Sequence, residues 1–224
     1  MTSTAATASD LSGIWVPEGG APLLSPEGLP LTDKGKTALA AFDPQRHDST
    51  RFCMPYGTPR NILSTAPYPI QILERPEQIT IIFDRLGDVR RLFMDGRDHP
   101  LDPWPTWLGH STARWEGRTL VIDTVAMTHE SILTDTGLPH SEQMRVSERL
   151  SFIDRDRFQD EITITDPVMY EKPFTVVRTF RRAPEAQMSE GSAICLLDQW
   201  RDQLEARNRA LADKVMERDG ETAP

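Results

Sequence analysis

The chain has little cysteine, little lysine, few aromatics and no long apolar run, and each shortage excludes something. Two cysteines in 224 residues make no disulfide framework and lack the spacing of a zinc site. Cys53 and Cys195 read either as two reduced thiols or as one bridge joining the ends of the fold. No stretch approaches the ~18 unbroken apolar residues of a membrane span, so no membrane partner is expected. Met1 to Asp10 is mostly Ala, Ser and Thr, with no positive n-region and no apolar h-region; no signal peptide is read there, and a cytoplasmic location is expected. The 25 Lys+Arg are outnumbered by 34 Asp+Glu, and the net charge of −9 excludes a broad phosphate-tracking surface and hence nucleic acid as a partner. No Walker A loop and no Gly-x-Gly-x-x-Gly is present, and no cofactor is expected. The five histidines, His47, His99, His110, His129 and His140, never fall at His-x-His or His-x-x-x-His spacing, so no metal site is expected.

What is present is a globular composition, 38% hydrophobic and 26% charged, at a length that suits one domain with appendages. The positive charge is 21 Arg against 4 Lys, the side chain suited to fixed forks on carboxylates or anionic ligands.

The pattern predicts a mainly β protein. A short strand, Gly13-Ile-Trp-Val16, leads into a Pro/Gly-rich stretch, and Thr32 is placed to cap a short helix that ends at Asp43-Pro44, with Leu39 and Phe42 facing inward. Residues 44–67 read as an ordered loop. From 68 to 182 the chain reads as β segments at Tyr68–Glu74, Gln78–Arg85, Val89–Asp95, Ser111–Glu116, Thr119–Met127, Met144–Ile153, Arg157–Thr165 and Phe174–Arg182. Leu86-Gly87-Asp88, Glu116-Gly117-Arg118 and Asp154-Arg155-Asp156 are apt turns. Short connections favour antiparallel neighbours, and eight to nine strands in sequence favour an up-and-down barrel without bare edges. Asp102-Pro-Trp-Pro-Thr-Trp107 is too proline-rich for a strand and reads as a stiff aromatic flap. Beyond Pro184, Ile194, Leu197, Trp200, Leu204, Leu211 and Val215 recur near helix spacing, predicting a longer C-terminal helix over 185–218. That helix packs on the barrel or on a second copy of the chain, which would make a homodimer. The division is a tail (1–10), a barrel domain (11–184), the amphipathic helix and a tail (219–224).

Period-2 alternation separates the faces of each strand and leaves charges on apolar faces. Glu148 falls with Met144, Val146, Leu150 and Phe152; Asp160 with Phe158, Ile162 and Ile164; Arg178 with Phe174, Val176 and Phe180; Arg91 with Val89 and Phe93. Asp123 lies with Val121 and Val125 on a strand apolar on both faces. An isolated ion in such a place costs several kcal/mol, so these groups pair, bind something or titrate abnormally. Internal ion pairs that hold the barrel's register are one reading; a water-poor cavity with an acid/base and an arginine for an oxyanion is the other. His110 and His140 sit in loops entering strands, at what would be a barrel mouth, and Asp135 precedes His140 closely enough to suggest an Asp–His shuttle. Gly109-His-Ser-Thr-Ala113 has the outline of a nucleophile elbow, but no strand precedes Ser111 and no helix follows it.

Gly13-x-Trp15 at the start of the first strand is similar to the Gly-x-Trp signature of lipocalin-like (calycin) barrels, in which a late-strand arginine, Arg178 or Arg181 here, would pack over the indole. A second resemblance covers most of the chain from Asp10 to about Cys195. Asp10-Leu-Ser-Gly-Ile-Trp15, Cys53-Met-Pro-Tyr-Gly-Thr-Pro-Arg60, Met94-Asp-Gly-Arg-Asp-His-Pro100, Trp107-Leu-Gly-His-Ser111, Trp115-Glu-Gly-Arg-Thr-Leu-Val-Ile-Asp-Thr124, Gly137-Leu-Pro-His-Ser141 and Glu148-Arg149 resemble the blocks of a widespread group of uncharacterised bacterial proteins, many of them resembling secreted proteins. That resemblance implies no settled activity. It does imply a Cys53–Cys195 pair, which would close a loop of ~140 residues and stabilise the fold by several kcal/mol.

Besides an interaction protein whose long C-terminal helix dimerises with the barrel as its scaffold, two functions fit these residues. The first is a cofactor-independent enzyme of lyase, isomerase or cyclase type acting on a hydrophobic small molecule, with Glu148 or Asp123 as acid/base and His110 and His140 as proton carriers. Arg60, Arg91 or Arg178 would then clamp an anion, while Tyr68, Trp104 and Trp107 shape the pocket and its lid. The second is a carrier that binds an apolar ligand without chemistry.

Overall fold

The structure, a computed structural model, describes residues 11–19, 26–52, 54–63, 68–188, 201–202 and 204–209. Nine strands close into one barrel: β1 (Gly13–Glu18), β2 (Ile70–Arg75), β3 (Gln78–Phe83), β4 (Val89–Phe93), β5 (His110–Glu116), β6 (Thr119–Val125), β7 (Arg145–Phe152), β8 (Arg157–Thr165) and β9 (Phe174–Arg182). Neighbours in sequence are neighbours in the sheet, and β1 pairs with β9 to complete the circuit. Closure removes the unpaired edges that an open sheet of this length would present.

The expected antiparallel order holds at every pair but one. β4 and β5 run parallel through Leu92↔Ser111 and Phe93↔Thr112. The reason is the length of the intervening segment: Met94 to Gly109 carries the chain back to the end from which β4 began, whereas a tight turn would have reversed it. The connections between β2 and β3, β3 and β4, β5 and β6, and β7 and β8 are short, whereas long segments join β1 to β2 and β6 to β7. Between β3 and β4, Leu86 and Gly87 both take positive φ, 62° and 69°, the left-handed backbone that helps reverse the chain within residues 84–88.

Thr32 caps α1 (Asp33–Ala40) as expected, accepting a hydrogen bond from the Gly35 amide at 3.1 Å. Residues 44–67 differ from the loop expected of them. They include α2 (Pro44–His47), a 3-10 turn at Ser49–Phe52 and α3 (Gly57–Leu63). The prolines that argued against structure stand near the starts of α2 and α3, where a helix has no use for their missing N–H. Residues 201–202 and 204–209 are helical, and the Arg207 guanidinium lies 5.4 Å from the Phe52 ring centroid. Residues 185–188 are turn and irregular backbone rather than helix. The remainder of the expected C-terminal helix, both expected tails, Cys53 and Cys195 lie outside the described residues.

Trp15 is the pivot of one end of the core. It is fully buried, donates its indole N–H to the Leu11 carbonyl at 2.9 Å and meets the Phe158 ring edge-on at 4.7 Å. The arginine over the indole is Arg182, 4.3 Å from the ring, rather than Arg178 or Arg181. Register decides this, because Trp15 faces Arg182 directly across the β1–β9 pair. Arg182 also donates to the Ser12 carbonyl at 2.7 Å, tying the first and last strands together.

Candidate functional site

Six successive strands each contribute a polar residue to one belt on the inner face. Arg90 on β4, Ser111 on β5, Thr124 on β6, Glu148 on β7, Asp160 on β8 and Arg178 on β9 are all buried. Their order follows from register. Ser111 lies opposite Thr124, and Asp160 lies opposite Arg178. Glu148 faces Ile162 and so stands diagonal to Asp160 on the same face. The result is a polar belt in an aliphatic and aromatic interior.

Arg90 organises half of this belt. Its fork gives Nη1 and Nη2 to the two Glu148 oxygens at 3.0 and 2.5 Å, Nη2 also to Thr124 Oγ1 at 2.7 Å and Nε to Ser111 Oγ at 3.2 Å. Both side chains are almost wholly enclosed, 1% and 2% exposed, so removing either would strand an ion in low dielectric. The alternation had pointed to Arg91, and the structure corrects it: Arg91 is exposed and Arg90 points inward. Val-Arg-Arg-Leu-Phe places two apolar residues on Arg91's face and one on Arg90's, which misleads a pattern count. The hairpin sets Arg90 opposite Ile81 and Leu92 opposite Ile79, on the buried side of β3.

The other half of the belt is less satisfied. Asp160 is buried, and its Oδ1 has no hydrogen-bond partner among the described residues. Burial, then the negative charge of Glu148, push its carboxyl well above the usual range, against the opposing pull of Arg90 and Arg178. Burial thus favours the protonated form of Asp160. Burial pulls the Arg178 guanidinium down, and Asp160 opposes that.

These groups line a cavity whose opposite wall is Ile70, Ile72, Ile81 and Phe83. The space open to the centre of a water-sized body is about 50 Å³, and the whole void, counted out through its mouth to solvent, is about 680 Å³. The inner part holds a few waters; the mouth admits something larger. At the rim, Tyr56, Asn61 and Ile62 come from α3 and the residue before it, Tyr68 from the lead into β2 and Arg85 from the β3–β4 turn. Asp88 pins α3 here, accepting from the Gly57 amide at 3.1 Å and Asn61 Nδ2 at 2.8 Å. Gly57 is required for this docking: its φ is +79°, and a Cβ would lie 2.9 Å from the Trp107 carbonyl oxygen. The Arg85 guanidinium lies 4.4 Å from the Tyr56 ring centroid and 5.2 Å from that of Tyr68, with no carboxylate in ion-pair contact among the described residues. Burial pushes the Tyr56 hydroxyl up to about 12, and it donates to Asp135 at 3.2 Å.

The remaining sequence candidates are scattered. Glu148, Arg178 and Tyr68 belong to the cavity. Arg60 is buried beside it in α3, held by Asp48 and Asp135, and is an internal ion pair rather than an anion clamp. Burial opposes it, yet hydrogen bonds from Arg60 and Thr50 hold Asp48 down at about 2. Asp135 is thereby committed to Arg60 and does not pair with His140. His140 is buried between the Ser131 hydroxyl at 2.7 Å and the Ser141 carbonyl at 3.1 Å, and burial pulls it down. It holds the loop between β6 and β7 and lies outside the cavity. Asp123 and His110 face outward, on the reverse side of the sheet. Trp104 is 87% exposed and is no lid on the barrel; Trp107 is half-buried and offers its carbonyl to the Thr58 amide. The sequence reading missed Arg90, Arg85 and Tyr56. Arg90 had a signal, the neighbouring apolar Leu92; Arg85 had none.

No family model matches the chain, and no curated protein matches it. Solved structures of the fluorescent protein UnaG are similar in outline. Two of its single-residue mutants align at 12% identity and a TM-score of 0.40, covering 79% of this chain and 99% and 98% of theirs. The wild type aligns at 12% identity and 0.39, covering 78% and 98%. The chain's own strand pairing and interior make it a β-barrel protein with a cavity, and the similarity ends at the outline.

Proposed function

We propose that the barrel is a cofactor-independent enzyme of lyase, isomerase or cyclase type that moves a proton on a hydrophobic small molecule held in the cavity. The observation that carries this reading is Asp160, a buried carboxylic acid with an unpartnered oxygen in an apolar chamber. Asp160 donates its proton to the substrate, Arg178 across the strand pair meets the negative charge left on Asp160, and that carboxylate then takes a proton from another atom of the substrate, which restores the acid. Glu148, clamped by Arg90, keeps Asp160 protonated before the reaction; it is a positioning residue. The aliphatic wall takes the substrate's apolar body, and Arg85 at the rim takes an anionic substituent that stays near water. The substrate enters by displacing the rim, since the inner chamber alone admits only a few waters.

The test separates chemistry from carriage. Infrared difference spectroscopy at neutral pH should show a protonated carboxyl band that disappears in Asp160→Asn. Hydrophobic ketones incubated with the protein in deuterated water should exchange their α-hydrogens, and Asp160→Asn should abolish the exchange while the fold melts normally. Exchange that persists in Asp160→Asn removes Asp160 from the mechanism. No exchange, together with a stoichiometric apolar ligand retained through native mass spectrometry, would make the barrel a carrier.

A further inference from the structure

On the reverse face of β5–β7 the structure assembles a second polar array that the interior site does not use. His99 Nε2 lies 2.8 Å from Asp123 Oδ2, and His99 Nδ1 lies 2.8 Å from His110 Nδ1. Asp123 also accepts from Arg145 Nε and Nη2 at 2.6 and 2.5 Å. The His110 ring stacks on Phe93, 5.2 Å between centroids, and the Arg97 guanidinium sits 4.0 Å from the same Phe93 ring. Three distant segments meet here: the lead out of β4, the start of β5 and the middle of β6.

Hydrogen-bond roles follow from what each atom is able to do. A carboxylate only accepts, so His99 carries its proton on Nε2, and in a neutral imidazole Nδ1 is then the acceptor. His110 must therefore supply the proton between the two rings from its own Nδ1, which leaves its Nε2 bare. Burial, followed by His99 and Arg97, pulls His110 down, consistent with a neutral ring. Hydrogen bonds from Arg145 and His99 overcome burial to keep Asp123 low, consistent with an acceptor.

Beside this array runs an open groove of about 620 Å³, lined by Trp104 between Pro103 and Pro105, by Val125, Met144 and Arg145, and by the acidic Asp102 and Glu142. Val125 is the cross-strand partner of His110, and Arg145 belongs to both groove and array. The flanking prolines restrict the backbone at Trp104, whose exposed indole offers a planar apolar surface.

We propose that Asp123, His99 and His110 form a proton relay in which His110 Nε2 is the general base for a small planar molecule with a weakly acidic O–H, seated in the groove against Trp104. The O–H proton goes to His110 Nε2, the His110 Nδ1 proton passes to His99 Nδ1, and His99 becomes the imidazolium beside the Asp123 carboxylate. His110 is neutral before and after, and the oxyanion is left at the Arg145 side of the groove, away from Asp102 and Glu142. The protons return by the same path. This site is independent of the interior one, and Asp160→Asn leaves it unchanged.

Nitrogen NMR of the imidazoles in the intact protein tests the relay. The first proton taken up by the pair should appear on His99, with both its nitrogens protonated, as His110 changes from the Nδ1–H to the Nε2–H tautomer. In Asp123→Asn that coupling should be lost and His110 should titrate alone. In the wild type, uptake as a His110 imidazolium beside a neutral His99 overturns the relay, and so does Zn²⁺ binding through the two Nδ1 atoms. para-Nitrophenol is the probe for the groove, because its absorbance reports its own proton: bound at neutral pH it should shift toward the phenolate and perturb the His110 signals. Trp104→Ala should weaken its binding about three- to tenfold, the worth of an aromatic contact. Binding that ignores Trp104, or no binding, overturns the ligand assignment.

Discussion

The belt inside the barrel and the relay outside it are built by the same strands. On β5, Ser111 points in and His110 out; on β6, Thr124 points in and Asp123 out; on β7, Glu148 points in and Arg145 out. One pleat separates two sites made of similar groups, a carboxylate, an arginine and small donors. What differs is the medium. Inside, the Arg90–Glu148 pair is out of water, and its geometry is compulsory because a misplaced partner has no solvent to turn to. Outside, Asp123 and Arg145 keep contact with solvent, and Arg145 is 58% exposed at its side chain, so the pair contributes little to stability and its partners are free to exchange protons. A carboxylate on the inner face is therefore a structural commitment unless, like Asp160, it is left part-satisfied.

The contrast has measurable consequences, beginning with the largest. Arg90→Met should lower the unfolding free energy by about 3–5 kcal/mol in urea titrations, by stranding Glu148, and adding Glu148→Leu should recover much of the loss. Glu148→Gln should also destabilise, because it strands Arg90; a variant as stable as the parent would mean the pair is not the inner anchor. Asp160→Asn should have a smaller effect and a pH signature. Asp160's folded pKa is raised, so the fold holds a proton that the unfolded chain releases, and the parent loses stability as pH rises from the unfolded carboxylate value of about 3.9 toward the folded one. Asp160→Asn removes that slope and should gain on the parent as pH rises; parallel pH profiles would place an ionised Asp160 in the belt. Asp123→Asn should cost less than about 1 kcal/mol, and less again in high salt, the opposite of the inner pair. Trp104→Ala should move the melting midpoint least, within about 0.5 kcal/mol, since the indole packs on little.

Much of this was legible along the chain. Glu148, Asp160 and Arg178 fell on the inner face by alternation alone, in strands with unbroken apolar partners every second residue. Thr32 was legible as a cap because Ser/Thr before a helix has few other uses. Val-Arg-Arg-Leu-Phe was not legible: with five residues and two adjacent arginines, alternation gives either answer. α3 was hidden because its burial comes from Asp88 and the Trp107 carbonyl, neither of which is local. His99 drew no notice for the same reason, since its partners are His110 and Asp123, eleven and twenty-four residues away.

Strand number and the inner faces of the longer strands were determined by the sequence by itself, because they depend on period-2 alternation, which is local. The parallel β4–β5 pair, the choice of Arg90 over Arg91, the closure of β1 on β9 and the meeting of His99, His110 and Asp123 were decided only by the tertiary structure. Each depends on register between segments far apart in the chain, and a shift of one residue exchanges inside for outside.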